Sequence, residues 1–237
     1  MRLILISLFS ALSLASAERT VSAVFFDAPP NAPKKMFAHI GKESFEIALP
    51  NMNLSDRIEI PSGEVVMQMT HSPVPEGTVI PPTAPSVRIP EDWADVVLLV
   101  AANPQSQGDF PIKILPVNAS PGVFKPGQLL FFNLTKAQLA GKLGSSTLRV
   151  KAGASVVVDP PAKADEDYPV EIDYLPPNNT EPLPLSRTVW RNEVKMRHLM
   201  FILDDKDRMV PRIWSVPLRP TPPKKDSESA ALSSPNP

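Results

Sequence analysis

The fold class of this chain is decided by residues 127–160, GQLLFFNLTKAQLAGKLGSSTLRVKAGASVVVDP. Leu129 to Leu134 is an apolar run that contains two phenylalanines, and Ser155 to Val158 is almost entirely β-branched. Both compositions favour strands. Gly144 and Gly153 stand between apolar segments, where a chain reversal needs residues that tolerate positive φ. The stretch therefore predicts an antiparallel β meander.

The composition of the whole chain also predicts many short strands. The 237 residues include 30 prolines, which interrupt helices and central strands. Hydrophobic residues make up 43% of the chain, which is enough for a globular core. The chain has no cysteine, so disulfides and thiol catalysis are both excluded.

The two ends of the chain differ from its middle in residue composition. Residues 1–17, MRLILISLFSALSLASA, combine one arginine, a short apolar run and an Ala-Ser-Ala ending, which predicts a secretory signal peptide. Residues 220–237 carry little apolar surface and are predicted to be a disordered tail. We expect a secreted or periplasmic protein. Since secreted eukaryotic domains usually carry disulfides, a bacterial source is favoured.

Three pairs of segments recur in the same order along the chain. They are IEIPSGEVVMQ around Gly63 with LRVKAGASVVV around Gly153, residues 26–29 with 117–120, and residues 96–117 with 198–218. The order predicts a tandem repeat of two immunoglobulin-like β-sandwich domains, residues 18–117 and 118–219, each with about seven strands. The alternative is that any two meanders look alike, because a two-residue period carries little information.

Charge argues against nucleic-acid binding, and hydropathy argues against an integral membrane segment. The 24 basic and 25 acidic residues give a net charge of -1 and form no concentrated basic face, which argues against nucleic acid. No apolar run after the signal approaches the roughly 20 residues of a membrane-spanning helix. A protein or glycan of the cell envelope is the predicted partner.

No motif for catalysis, metal binding or a cofactor is found in the sequence. His39, His71 and His198 do not have the spacing of metal ligands, and no G-x-S-x-G or glycine-rich phosphate loop is present. Sequons at four asparagines fit N-glycosylation in a eukaryote, namely Asn53, Asn118, Asn133 and Asn178.

Five residues are candidates for ligand binding. Asp204, Asp205 and Asp207 cluster on a predicted hairpin tip, where they lack the central glycine and late glutamate of an EF-hand. Trp190 and Trp214 are core residues or, alternatively, a platform on neighbouring strands that stacks on a sugar.

Two resemblances bear on fold and role. The segment NASPGVFKPGQLLFFNLT, residues 118–135, with LAGKLG and the KAG turn behind it, resembles small secreted bacterial β proteins of unknown function. This resemblance implies a β-sandwich in the cell envelope and no activity. The tandem layout is also similar to periplasmic pilus chaperones, which pair two immunoglobulin-like domains; that family's basic carboxylate-binding pair is not assigned to residues here.

These observations favour a noncatalytic extracytoplasmic interaction or structural protein, which uses an edge strand or an interdomain groove to hold another envelope component. One alternative is a carbohydrate-binding or hydrolase accessory protein, based on the two tryptophans and the acidic cluster. A second alternative is a chaperone-like protein.

Overall fold

A computed structural model of the chain describes residues 18–75, 77–103, 105, 111–159, 162–205 and 208–220. Within these ranges the secondary structure consists of sixteen β-strands and no helix. The predicted all-β fold with two tandem β-sandwich domains is confirmed. The predicted signal peptide and residues 221–237 of the predicted tail lie outside the described residues.

The first unit extends to Val123 and contains two four-stranded sheets. Its strands are β1 (Arg19–Phe26), β2 (Lys35–Ile40), β3 (Glu43–Ala48), β4 (Ile58–Ile60), β5 (Val65–Thr70), β6 (Ser86–Ile89), β7 (Asp95–Ala102) and β8 (Ile112–Asn118). One sheet has the order β4-β1-β7-β8 and the other the order β3-β2-β5-β6. Strands β1 and β7 pair in parallel, whereas the other neighbours are antiparallel.

The second unit begins at Phe124 and also contains two four-stranded sheets. Its strands are β9 (Leu129–Asn133), β10 (Gln138–Leu143), β11 (Ser146–Val150), β12 (Ser155–Val158), β13 (Asp167–Leu175), β14 (Leu183–Arg191), β15 (Arg197–Leu203) and β16 (Arg212–Leu218). The sheet orders are β12-β9-β15-β16 and β11-β10-β13-β14. Strands β9 and β15 form the parallel pair.

The strand orders of the two units are the same once each strand is matched with the one eight places later in the chain. The predicted match of residues 96–117 with 198–218 joins equivalent strands, β7–β8 with β15–β16. The other two matches are wrong in register. The match around Gly63 and Gly153 aligns β4 with β11, and the remaining one aligns the end of β1 with the end of β8. Because every strand alternates with the same period, a shift by one strand leaves the pattern intact.

The inner faces of both sheets enclose one hydrophobic core in each unit. Phe25 of β1 and Met67 of β5 are fully buried in the first core, and these strands belong to different sheets. Phe131 of β9 and Ile172 of β13, also from different sheets, are fully buried in the second core. Side chains that interdigitate from two sheets define a sandwich.

Several details of the first unit differ from the sequence-based expectation. Each unit has eight strands instead of about seven. Residues 91–95 form no helical turn; the Trp93 N–H donates to the Pro90 carbonyl in a turn that leads directly into β7. The proline-rich segment 72–90 contains β6. Asn118, the predicted start of the second domain, is the last residue of β8 and pairs with Val96.

Asn133, one of the four asparagines in a sequon, is a buried polar residue of the second unit. Its side chain is fully buried, and Nδ2 donates to the carbonyls of Ala137 at 2.7 Å and Lys151 at 3.0 Å. Its Oδ1 accepts from Thr135 Oγ1 at 2.8 Å. The side chain therefore ties the loop after β9 to the loop before β12. A glycan on Nδ2 is incompatible with this structure.

Candidate functional site

The longest strand at the edge of a sheet in the described part of the chain is β14, with nine residues. It pairs with β13 along one side, and no strand formed by the described residues pairs with its other side. Most of its residues are exposed, and Val189 is 60% exposed. Shorter edge strands such as β4, β6 and β12 have three or four residues. Strand β14 is therefore the most extended backbone template on the two sandwiches.

The register shows which backbone groups of β14 point outward. The carbonyl of Pro169 accepts from Gly144 N–H at 2.7 Å, so the backbone of Pro169 faces away from β14. Residues of an antiparallel pair alternate between hydrogen-bonded and non-hydrogen-bonded positions. Val189, opposite Pro169, is thus in a non-hydrogen-bonded pair, and Thr188 and Trp190 bond to β13. The N–H and C=O groups of Arg187, Val189 and Arg191 point to the open side.

Two arginines flank Val189 on the outer face of the strand. Arg187 forms an ion pair with Asp173, and Arg191 lies 3.4 Å from Asp167. Both pairs are substantially exposed, so each contributes about 0–1 kcal/mol and remains accessible to another carboxylate. Edge strands commonly carry charges that oppose pairing with the wrong strand.

A hollow of about 340 Å³ opens beside the end of β14. We call it the Trp190 hollow; it is lined by Leu129, Tyr168, Val189, Trp190, Arg191, Glu193, His198, Met200 and Ser215. Trp190 packs against the core, where its ring stacks on Phe131 with 6.5 Å between centroids. Burial raises the pKa of the Tyr168 phenol above its ordinary value. The hollow thus has an apolar floor contributed by both sheets.

One wall of the hollow is polar. His198 Nε2 lies 3.0 Å from Glu193 Oε2, and His198 Nδ1 lies 3.2 Å from Ser215 Oγ. A hydroxyl, an imidazole and a carboxylate are therefore connected in series. Such a wall can donate to and accept from a ligand hydroxyl. Sequence reasoning did not identify Glu193 or Ser215, because the three residues are brought together by the loop after β14 and by the pairing of β15 with β16.

The structure separates the predicted tryptophan pair. Trp190 is on β14 and Trp214 is on β16, which belong to different sheets, so the platform on neighbouring strands is wrong. Trp214 packs on Phe201 with 5.7 Å between centroids. Phe201 also stacks on Phe132 at 5.6 Å, so Trp214 packs against a stacked pair of phenylalanines.

The predicted acidic cluster lies at the other end of the second sandwich from Trp190. Asp204 and Asp205 follow the last residue of β15 and line a hollow of about 180 Å³ with Tyr174 and Lys136. Tyr174 pairs with Leu183 at the start of β14, whereas Trp190 is near its end. Asp207 lies outside the described residues. The acidic residues and Trp190 therefore do not form one site.

The described ranges hold no cluster of three His, Asp or Glu side chains suited to a metal ion. His39 is buried, its Nε2 lies 2.7 Å from Thr70 Oγ1, and burial lowers its pKa.

Across the described residues, no helix has the length and apolar character needed to cross a membrane.

Comparison with protein families and with curated protein sequences gives no relative. No family model matches the chain, and no curated protein matches it. The site must be interpreted from its own geometry.

Proposed function

We propose that this chain is a noncatalytic extracytoplasmic protein that binds another component of the cell envelope by adding a strand of that component to β14. The observation that carries the proposal is the open side of β14. Three outward backbone positions, Arg187, Val189 and Arg191, repeat every second residue there, and strand addition uses that spacing. The location rests on the predicted signal peptide.

Other edges of the second unit support strand addition less well. Strand β16 contains Pro217 one residue before its end, and β12 has only four residues. Strand β14 has Pro184 near its start, which leaves a run from Leu185 to Arg191 without proline. Main-chain bonds along this run supply affinity, and side-chain pockets beside it supply specificity.

Cross-linking from the edge tests the proposal. A photoreactive amino acid replaces Val189 in tagged protein expressed in its own host, and a matched control carries it at Thr147 of β11, on the opposite edge of the same sheet. We expect one defined product from position 189 and none from 147. The Val189→Pro variant should lose the partner in a pull-down, whereas Val189→Thr, which keeps the N–H, should retain it.

The outcome against the proposal is equally defined. Equal products from both positions, or a partner that Val189→Pro retains at wild-type yield, contradict strand addition at β14. A chaperone-like role is one form of the same binding mode and predicts that the partner is an incompletely folded envelope subunit.

A carbohydrate-binding or hydrolase accessory role is the second candidate. The specific observation in its favour is the Trp190 hollow, where an indole lies near the polar side chains of His198, Glu193 and Ser215. Sugar sites combine such an aromatic face with carboxylate and hydroxyl partners. Glycan arrays read by Trp190 fluorescence test this role in a background that retains only this tryptophan. An unchanged spectrum across a broad panel contradicts it.

A further inference from the structure

We infer that the strand bound by β14 is an acidic segment that places a tyrosine side chain in the Trp190 hollow. This inference rests on the strand addition proposed above and specifies its partner. The argument starts from the direction of the side chains of β14. Trp190 is opposite the buried Tyr168 and faces the core, whereas Val189 faces outward.

A strand added to the open side of β14 continues the same sheet. Its side chain next to Trp190 must also face inward, because side chains alternate along each strand and neighbouring positions share a face. The inward space at that position is the Trp190 hollow, to which β15 and β16 contribute His198, Met200 and Ser215 from the facing sheet. One side chain of the partner therefore enters it.

The lining selects the chemistry of that side chain. Leu129, Met200 and the Trp190 ring favour an aromatic body, which gains from burial and from contact with the thioether. The far wall holds the His198 and Glu193 pair. A purely apolar ring would cover these groups without replacing their bonds to water, which is unfavourable. A phenol satisfies both parts of the hollow.

Charge selects the residues on either side of the tyrosine. Arg187 and Arg191 face outward with Val189, so acidic residues opposite them form favourable cross-strand pairs. A second copy of β14 is the alternative occupant. Antiparallel self-pairing centred on Val189 would place Arg187 opposite Arg191 of the other copy, and like charges directly opposite are destabilising. The edge therefore favours an acidic partner over self-association.

The probe is a short peptide containing Glu-Tyr-Val-Thr-Glu, which in antiparallel orientation runs from Arg191 to Arg187. Binding to the full mature chain is measured by calorimetry. We expect the tyrosine peptide to bind about tenfold more tightly than Glu-Phe-Val-Thr-Glu, as one hydrogen bond from the phenol to the Glu193 carboxylate implies. Replacing both glutamates by lysine should abolish binding. Replacing the central valine by proline should do the same, because its N–H faces β14.

Two variants of the chain assign the preference to the hollow. Glu193→Ala should reduce the tyrosine-to-phenylalanine ratio to about one while affinity for the phenylalanine peptide is kept. Glu181→Ala, on the exposed loop before β14, should leave the ratio unchanged. Thermal unfolding of each variant shows that the fold is retained.

The possible failures are distinct. If the proline peptide binds as well as its parent, strand addition itself is contradicted. If proline abolishes binding but the phenylalanine and tyrosine peptides bind equally, strand addition holds and the tyrosine inference is overturned. If none of the peptides binds, the inferred partner chemistry is overturned, and cross-linking from position 189 still decides the proposed function.

Discussion

Proline substitution at two adjacent positions of β14 gives the sharpest test of the edge geometry. Thr188 is hydrogen-bonded to β13 opposite Val170, and Val189 directs its N–H to the open side. Thr188→Pro removes a donor to β13 and leaves a carbonyl of the central strand without its partner. Val189→Pro removes no bond of the folded chain, and edge strands tolerate proline where the N–H faces solvent.

The expected difference follows from these bonds. An unsatisfied backbone group costs about 1–3 kcal/mol, and the proline ring also disturbs the ladder, so Thr188→Pro should lower the free energy of unfolding by at least about 2 kcal/mol. Val189→Pro should stay within about 1 kcal/mol of wild type, because the lower entropy of the unfolded chain offsets the restricted φ.

Urea unfolding followed by tryptophan fluorescence measures both variants. Trp93 belongs to the first unit, so a Trp93→Phe background restricts the signal to the second unit. With a slope of about 1–3 kcal/mol per molar urea, the midpoints of the two variants should differ by about 1 M. Equal losses in the two variants, or a greater loss for Val189→Pro, would refute the assignment of outward groups on β14.

Three further predictions concern the fold. Asn133→Ala should lower the free energy of unfolding by about 3 kcal/mol, because it leaves several buried groups without a hydrogen-bond partner. Asn178→Ala, at an exposed position, should change the free energy of unfolding by less than about 0.5 kcal/mol. Urea midpoints measure both variants, and equal effects would contradict the buried network. Gly141→Ala should prevent normal pairing of β10 with β13, because the added Cβ would lie 2.1 Å from a backbone oxygen. The control Gly122→Ala, whose Cβ would have no atom within 4 Å, should leave the thermal unfolding midpoint unchanged. A Gly141→Ala protein with the wild-type unfolding midpoint would show that the two strands are farther apart. Burial lowers the pKa of His39 below its usual 6.5, so the unfolded chain binds the proton more readily; its contribution to stability is complete above about pH 6.5 and declines as pH falls below that value. His39→Gln should flatten the dependence of unfolding free energy on pH in that range, and an unchanged slope would count against the burial.

The sequence predicts individual strands well where apolar and turn residues alternate clearly. Residues 127–160 contain β9 to β12, with turns at Gly144 and Gly153, both with positive φ. The predicted meander itself is wrong, because β9 pairs with β12 in one sheet and β10 pairs with β11 in the other. The sandwich class follows from many such strands. The parallel pairing of β1 with β7 is not visible in the sequence, because five other strands lie between them along the chain and the alternation of side chains does not specify which strands are neighbours.

The candidate site is harder to predict for the same reason. Trp190 was identified as a residue of interest, yet its partners His198 and Ser215 come from another sheet. A period of two residues fixes which side chains share a face of one strand, but it does not say which strand ends the sheet. The sequon at Asn133 has a structural role instead. Its third residue, Thr135, donates a hydrogen bond from its hydroxyl to the buried Asn133 side chain.

Amide hydrogen exchange read residue by residue by NMR tests strand addition at β14 most directly. The full chain is measured free and bound to the partner recovered by cross-linking from position 189. The account predicts that the amides of Arg187, Val189 and Arg191 exchange rapidly in the free protein and become protected in the complex, while Thr188 and Trp190 are protected in both. A complex in which these three outward amides still exchange at their free rates would contradict strand addition at β14.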